Sequence, residues 1–273
     1  MLQQAGQFEE AAAHASTAVE IWTKQLEPGH PHIGTGLMCL GRALSALHDY
    51  VGAQDALRRA LEVFRQALGT HNPRVFRCLG YLGTAVWRGG DAAAAVKLFE
   101  EELQLRRSIV AEHDKSLWFP MQNLAFALRE AGRLKDAEQG FRSLLPNLRA
   151  SRSTEPAHVA LVLHGLGETL RRQGRLQPAV TVLREAVAVF SVSVGEGHWR
   201  AAACQSSLGA ALSAAGEPDE AEALLRNAHR LCLEADHPEV ASDVAHRLAE
   251  HFARRNLPAE AESWRKRARG DAR

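Results

Sequence analysis

Small and apolar residues recur along the chain in a step of 42 residues. Leu40-Gly41 is followed twelve residues later by Ala53, and the set returns as Leu82-Gly83 with Ala95 and Leu124-Ala125 with Ala137. It returns again as Leu166-Gly167 with Ala179, Leu208-Gly209 with Ala221 and, after a step shorter by two, Leu248-Ala249 with Ala261. A step back from Ala53 lands on Ala11. Leu37 and Leu44, Leu79 and Val86, Met121 and Leu128, and Leu163 and Leu170 flank these pairs at the i, i+3, i+7 spacing of one helix face. Beyond each small Ala comes a larger residue, Leu57, Phe99, Phe141, Leu183 or Leu225, the knob of a second helix. Gly6, His48, Gly90, Gly132, Gly174, Gly216 and Asn256 form a turn column ahead of the second helices, mostly the residues that tolerate a left-handed helix end. Small residues at the crossing let two antiparallel helices approach, and larger neighbours fill the gap.

The pattern predicts about thirteen helices and no strand. They pair as 34–47 with 50–67, 75–89 with 92–110, 115–131 with 134–149, 156–173 with 176–194, 199–215 with 218–235, and 239–255 with 258–268. Pro218 and Pro258 fall in a first helical turn, where the missing N–H costs little. A helix at 8–25 is the second half of a repeat whose first helix is nearly absent, so Phe8, Ala11 and Val19 lack half their cover. Solenoids end in polar caps, and this start reads as a cut in a longer polypeptide. The uncovered face is also a place for self-association.

These registers resemble the tetratricopeptide repeat, whose usual period is 34 residues. The extra residues fall in inter-repeat turns such as LEPGHPHI (26–33), LGTHNPRV (68–75), VGEGHWRA (194–201) and EADHPEVA (234–241). Together with MQNLAFALREAGRLKDAE (121–138), they resemble the kinesin-light-chain-type variant found in bacterial signalling proteins. That resemblance implies an all-α, right-handed α-solenoid over 1–273. Its repeats are 1–31 (partial), 32–73, 74–115, 116–157, 158–199, 200–238 and 239–268, with a basic tail at 269–273. It also implies a non-catalytic scaffold or adaptor that binds a peptide or protein segment in the concave groove. The kinesin-light-chain groove carries Asn just before the Leu of most repeats; here the column reads Cys39, Tyr81, Asn123, Gly165, Ser207 and Arg247, and only Asn123 conforms. The ending around Trp264-Arg265-Lys266 resembles the closing repeat of such tails on bacterial Ser/Thr protein kinases. A regulatory or docking tail of a larger signalling enzyme, a kinase or a nucleotide-binding ATPase, is therefore the alternative. Basic residues in a last turn also offset the helix dipole without any such role.

Composition narrows the function classes. Among 273 residues, 47 are Ala, and 28 Arg stand against 5 Lys, a helix-forming bias. Lys and Arg total 33 and Asp and Glu 32, a balance that argues against an electrostatic nucleic-acid or membrane binder. Cys39, Cys78, Cys204 and Cys232 form no CxxC pair, which speaks against a disulfide framework or Cys-based zinc site. No apolar run approaches a membrane span, and MLQQAGQFEE lacks a signal peptide's basic and apolar regions. A cytoplasmic location is the expectation by elimination.

The resemblance assigns the first helix of each pair to the groove. Its exposed positions lie at −6, −3, −2, +1, +4 and +5 from the Gly/Ala column. They supply Arg42, Arg77, Arg88, Arg129, Arg171, Arg172, Arg247 and Arg254 against Glu130, Glu168, Asp243 and Glu250. Such a surface suits an acidic peptide gripped by guanidinium forks; a solvated helix face is the alternative. Tyr81, Trp87 and Phe126, with Asn123 and His164, complete the candidate set. The aromatics either form a side-chain pocket or close the core and an inter-helix gap. Trp118 and Phe119, ahead of Pro120, are expected to staple a helix start, and Glu100-Glu101-Glu102 to lie on a solvated face. His30, His71, His198 and His237 occupy turns, and His246 and His251 diverge by roughly 140° on a helix, so no metal is expected. No GxxxxGK[ST], HExxH or GxSxG occurs, and no cofactor or enzymatic activity is expected.

Overall fold

The computed structural model describes residues 2–151, 154–195 and 197–270. The chain divides into two compact units, Met1–Asp136 and Ala137–Arg273. Among the described residues every regular element is helical.

The first unit holds α1 (Leu2–Gln25), α2 (Pro31–Ala46), α3 (Tyr50–Leu68), α4 (Pro73–Arg88), α5 (Ala92–Arg107) and α6 (Trp118–Glu130), with a 3-10 turn at Lys115–Leu117. The second holds α8 (Pro156–Arg172) through α13, preceded by α7 (Leu134–Ala150), which begins at the junction. The rest are α9 (Leu176–Val194), α10 (Trp199–Ala215), α11 (Pro218–Glu234), α12 (Pro238–Arg254) and α13 (Pro258–Ala268). In each unit consecutive helices pack as pairs, α2 on α3 and α4 on α5, then α8 on α9, α10 on α11 and α12 on α13. First helices also touch the next first helix, α2 to α4 to α6 and α8 to α10 to α12. This is a helix-pair repeat of the solenoid type.

Local chemistry explains where helices begin and end. Proline stands at the first turn of α2, α4, α8, α11, α12 and α13. Asp49 and Asp91 cap α3 and α5 by accepting from the backbone N–H of Gly52 and Ala94 at 2.9 Å. The turn column is left-handed at His48, Gly90, Gly132, Gly174, Gly216 and Asn256, with φ of 64°, 98°, 77°, 76°, 89° and 55°. Gly6 departs from that column and lies inside α1.

The close-packed crossing is present in both units. A Cβ added at Gly83 would meet the Phe99 ring at 2.6 Å, and one at Gly167 would meet Leu183 at 2.5 Å. Ala53, Ala95, Ala137, Ala179, Ala221 and Ala261 are all buried. At the N-terminal end Phe8 is 41% and Ile21 45% exposed, and Ala11 is exposed too, while Val19 is buried against Gly36 of α2.

Four expectations are corrected. Glu102 is buried rather than solvated, and Phe119 is 65% exposed, leaving Trp118 and Leu117 to seal the α6 start. The helix expected at 92–110 stops at Arg107. By length and composition, with a mean hydropathy of 1.2, α9 is long and apolar enough to cross a membrane. In this fold its buried face, Ala179, Val180, Leu183, Ala186 and Phe190, packs between α8 and α10, and Arg184 on its other side pairs with Glu220. Of the basic tail, residues 271–273 lie outside the described residues.

Candidate binding face on the first helices

In the first unit the face is built from α2, α4 and α6. The helical repeat sets Arg77, Tyr81, Thr84 and Arg88 along one side of α4, with Arg77 and Arg88 exposed. Arg42 of α2 is exposed, and its guanidinium lies over the Tyr81 ring, 4.9 Å from the centroid. Arg42, Ser45, Tyr81, Thr84 and Arg88 line a cleft of about 360 Å³ between α2 and α4, floored by Gly41 and Leu57. Neither α2 nor α4 carries an Asp or Glu. Trp87 stacks on Phe126 with centroids 6.2 Å apart, and Arg129 lies over the Phe126 ring while pairing with Glu130 at 2.8 Å. Phe126 is only 9% exposed, so this stack closes the α4–α6 seam rather than opening a pocket. Asn123 sits half-buried on α6 in the column that holds Tyr81 on α4.

In the second unit α8, α10 and α12 bring His164, Glu168, Arg171 and Arg247 into one polar cluster. Glu168 is 5% exposed. Arg171 donates from Nε and Nη2 to Glu168 Oε2 at 3.0 and 2.9 Å, and Arg247 Nη2 stands 3.2 Å from Oε1. Arg247 Nη1 also donates to Ser207 Oγ at 2.7 Å, and His164 Nε2 lies 2.8 Å from the same hydroxyl. Burial pushes the Glu168 carboxyl up. Arg247, Arg171 and His164, with the Ser207 hydroxyl, outweigh it and hold the group below the ordinary carboxylate range. Glu250 is exposed and 3.8 Å from Arg254, and Arg172 is exposed at the end of α8.

Two buried polar groups escaped the sequence reading. Glu102 of α5 is 3% exposed and accepts from Arg106 Nε at 2.9 Å, yet burial outweighs that partner and raises its pKa. The signal was present: Glu102 stands in the column of Ala60, Leu144, Ala186 and Ala228, opposite Gly80, which leaves room for its carboxylate. His251 is fully buried, with Nδ1 2.9 Å from Ser213 Oγ, in the column of Ala43, Ala85, Ala127 and Ala211. Burial lowers its pKa, and it faces away from exposed His246. Among the described residues no group of three or more His, Cys, Asp or Glu is placed to hold a metal ion.

Stacked helix pairs with a small residue at every crossing define a helical-repeat protein. Tetratricopeptide-repeat family models match residues 32–108, 119–191 and 201–239, and the chain belongs to the tetratricopeptide repeat family. No curated protein sequence matches it. Its fold is similar to the Podosopora anserina kinesin light chain with nearly identical TPR-like repeats, at 21% identity and TM-score 0.64 over 76% of this chain and 98% of that one. It is also similar to the apo form of RapI, at 14% identity and TM-score 0.79 over 97% and 91% of the two chains. A third similar fold is the Rap conjugation gene regulator of plasmid pLS20 in complex with a Phr peptide, at 15% identity and TM-score 0.64 over 88% and 74%. These likenesses show a shared helical-repeat fold.

Proposed function

We propose that the chain acts as a non-catalytic adaptor that holds an extended peptide or protein segment along the first-helix face, with a preference for acidic segments. The observation behind this reading is the makeup of that face in the first unit. Its groove positions carry four arginines against one glutamate, around the half-buried ring of Tyr81 and the amide of Asn123. Guanidinium forks grip carboxylates, an aromatic ring gives a rigid apolar anchor, and an amide can pair with an extended backbone. The Rap regulator in complex with its Phr peptide supports the peptide class of ligand for this fold.

The test is selection of binders from a random peptide library on the intact chain, followed by hydrogen exchange of the complexes. Protection concentrated in α2, α4 and α6, with affinity lost on Tyr81→Ala and falling as salt rises, is the expected result. Protection confined to the second helices, or no binder at all, would remove the reading.

A further inference from the structure

Two slots in the same repeat register carry opposite contents. In the second unit the slot between consecutive first helices is filled by the chain itself: Glu168 neutralises Arg171 and Arg247 and is sealed at 5% exposure. In the first unit the corresponding slot holds Arg42 against Tyr81, each thirty-nine residues apart in sequence like Glu168 and Ser207. Thr84 occupies the column position that Glu168 fills two repeats later. Among the described residues at least sixteen other arginines reach a carboxylate. Among the described residues Arg42, Arg77 and Arg88 reach none, and the Arg42–Arg88 cleft of about 360 Å³ contains hydroxyls and a ring but no acid.

Resting on the peptide-binding reading, we infer that the α2–α4 cleft is the subsite that takes an aspartate or glutamate side chain of the bound segment, between Arg42 and Arg88. The second unit's slot takes none, because Glu168 is its resident carboxylate. The internal precedent identifies the chemistry: where this repeat does complete the slot, it does so with a carboxylate. The Tyr81 ring under the Arg42 guanidinium restrains it, which pre-organises its N–H groups for a carboxylate. Ser45 and Thr84 add hydroxyls within the same cleft.

The experiment measures binding of a fluorescein-labelled oligo-glutamate peptide to the intact chain, with oligo-lysine and Gly-Ser peptides of equal length as comparisons. Inorganic phosphate and oligodeoxythymidylate serve as competitors. The double variant Arg42→Gln/Arg88→Gln should weaken oligo-glutamate binding about tenfold or more, the loss of charge-assisted hydrogen bonds. Thr84→Glu, which gives the cleft a resident acid, should do the same. Arg59→Gln/Arg142→Gln removes equal charge from the second helices and should change affinity less than about threefold. Arg42, Arg88, Arg59 and Arg142 are exposed and Thr84 is half-buried, and unchanged thermal melts establish that the variants fold.

Equal loss in both arginine pairs, or no binding of oligo-glutamate, overturns the subsite. Tighter binding of oligodeoxythymidylate than of oligo-glutamate overturns it in favour of a phosphate polymer. If library peptides protect the first helices but ignore Arg42 and Arg88, the subsite falls while the peptide reading stands. If no library peptide binds, both fall.

Discussion

Glu168 of α8 and Arg247 of α12 meet at 3.2 Å across an intervening helix, α10, whose Ser207 hydroxyl accepts from the same guanidinium. One carboxylate thereby ties three successive first helices. Truncation to Glu168→Ala leaves Arg247 and Arg171 facing a void and should destabilise the chain by about 3 kcal/mol. Acid should act in the same direction. The folded-state pKa is depressed, so the contribution is complete above the unfolded carboxylate range and fades as pH falls through and below about 4.5. The Tm gap between the wild type and Glu168→Gln should narrow as pH falls from 7 to 3. A constant gap would contradict the ion-pair account.

Glu102 carries the opposite sign. Burial raises its folded pKa, so keeping it ionised costs stability as pH rises through that value. Glu102→Gln, which still accepts from Arg106, should be as stable as the wild type or more so at pH 7, with the difference shrinking on acidification. A clear loss of stability at neutral pH would show that the Arg106 pair outweighs burial.

The crossing column should be intolerant of volume. Gly83→Ala places a methyl 2.6 Å from the Phe99 ring, and Ala95→Leu fills a fully buried site. Each should cost about 1–3 kcal/mol, read as a lower urea midpoint. Much of this was legible in the sequence, because a 42-residue step repeats the same local contacts. Gly41 with Leu57 and Gly83 with Phe99 are each sixteen residues apart, within one helical hairpin.

His48 holds a left-handed turn at φ 64° that glycine occupies in the next four repeats. Its side chain is exposed and meets only Tyr50 Oη, 2.8 Å from Nδ1. His48→Gly should relieve backbone strain and raise stability by about 0.5–1 kcal/mol, seen as a higher Tm. A fall in Tm would mean that the Tyr50 contact is worth more than the strain.

Arg184 and Glu220 join α9 to α11 through two hydrogen bonds of 2.6 and 2.7 Å, yet both side chains are nearly half exposed. Arg184→Ala should cost less than about 1 kcal/mol, an effect that shrinks further in high salt. A larger loss would make this outer row of ion pairs a principal determinant of repeat stacking.

The sequence alone determined the helices, their pairing, the Gly-or-Asn turns and the small-residue crossings, since each depends on contacts within about one repeat that the 42-residue step prints several times. It also drew attention to Arg42, Arg88, Glu168 and Arg247, but as members of one charged face. Tertiary structure decided which of those charges are spent. Glu168 and Arg247 lie seventy-nine residues apart and meet only because α8, α10 and α12 stack. Glu102 follows the same rule: it departs from its column's apolar pattern, and the room left by Gly80 on α4 takes its carboxylate inward. Pairing of charges is a property of neighbours in space, and periodicity, which records neighbours along a helix, does not encode it.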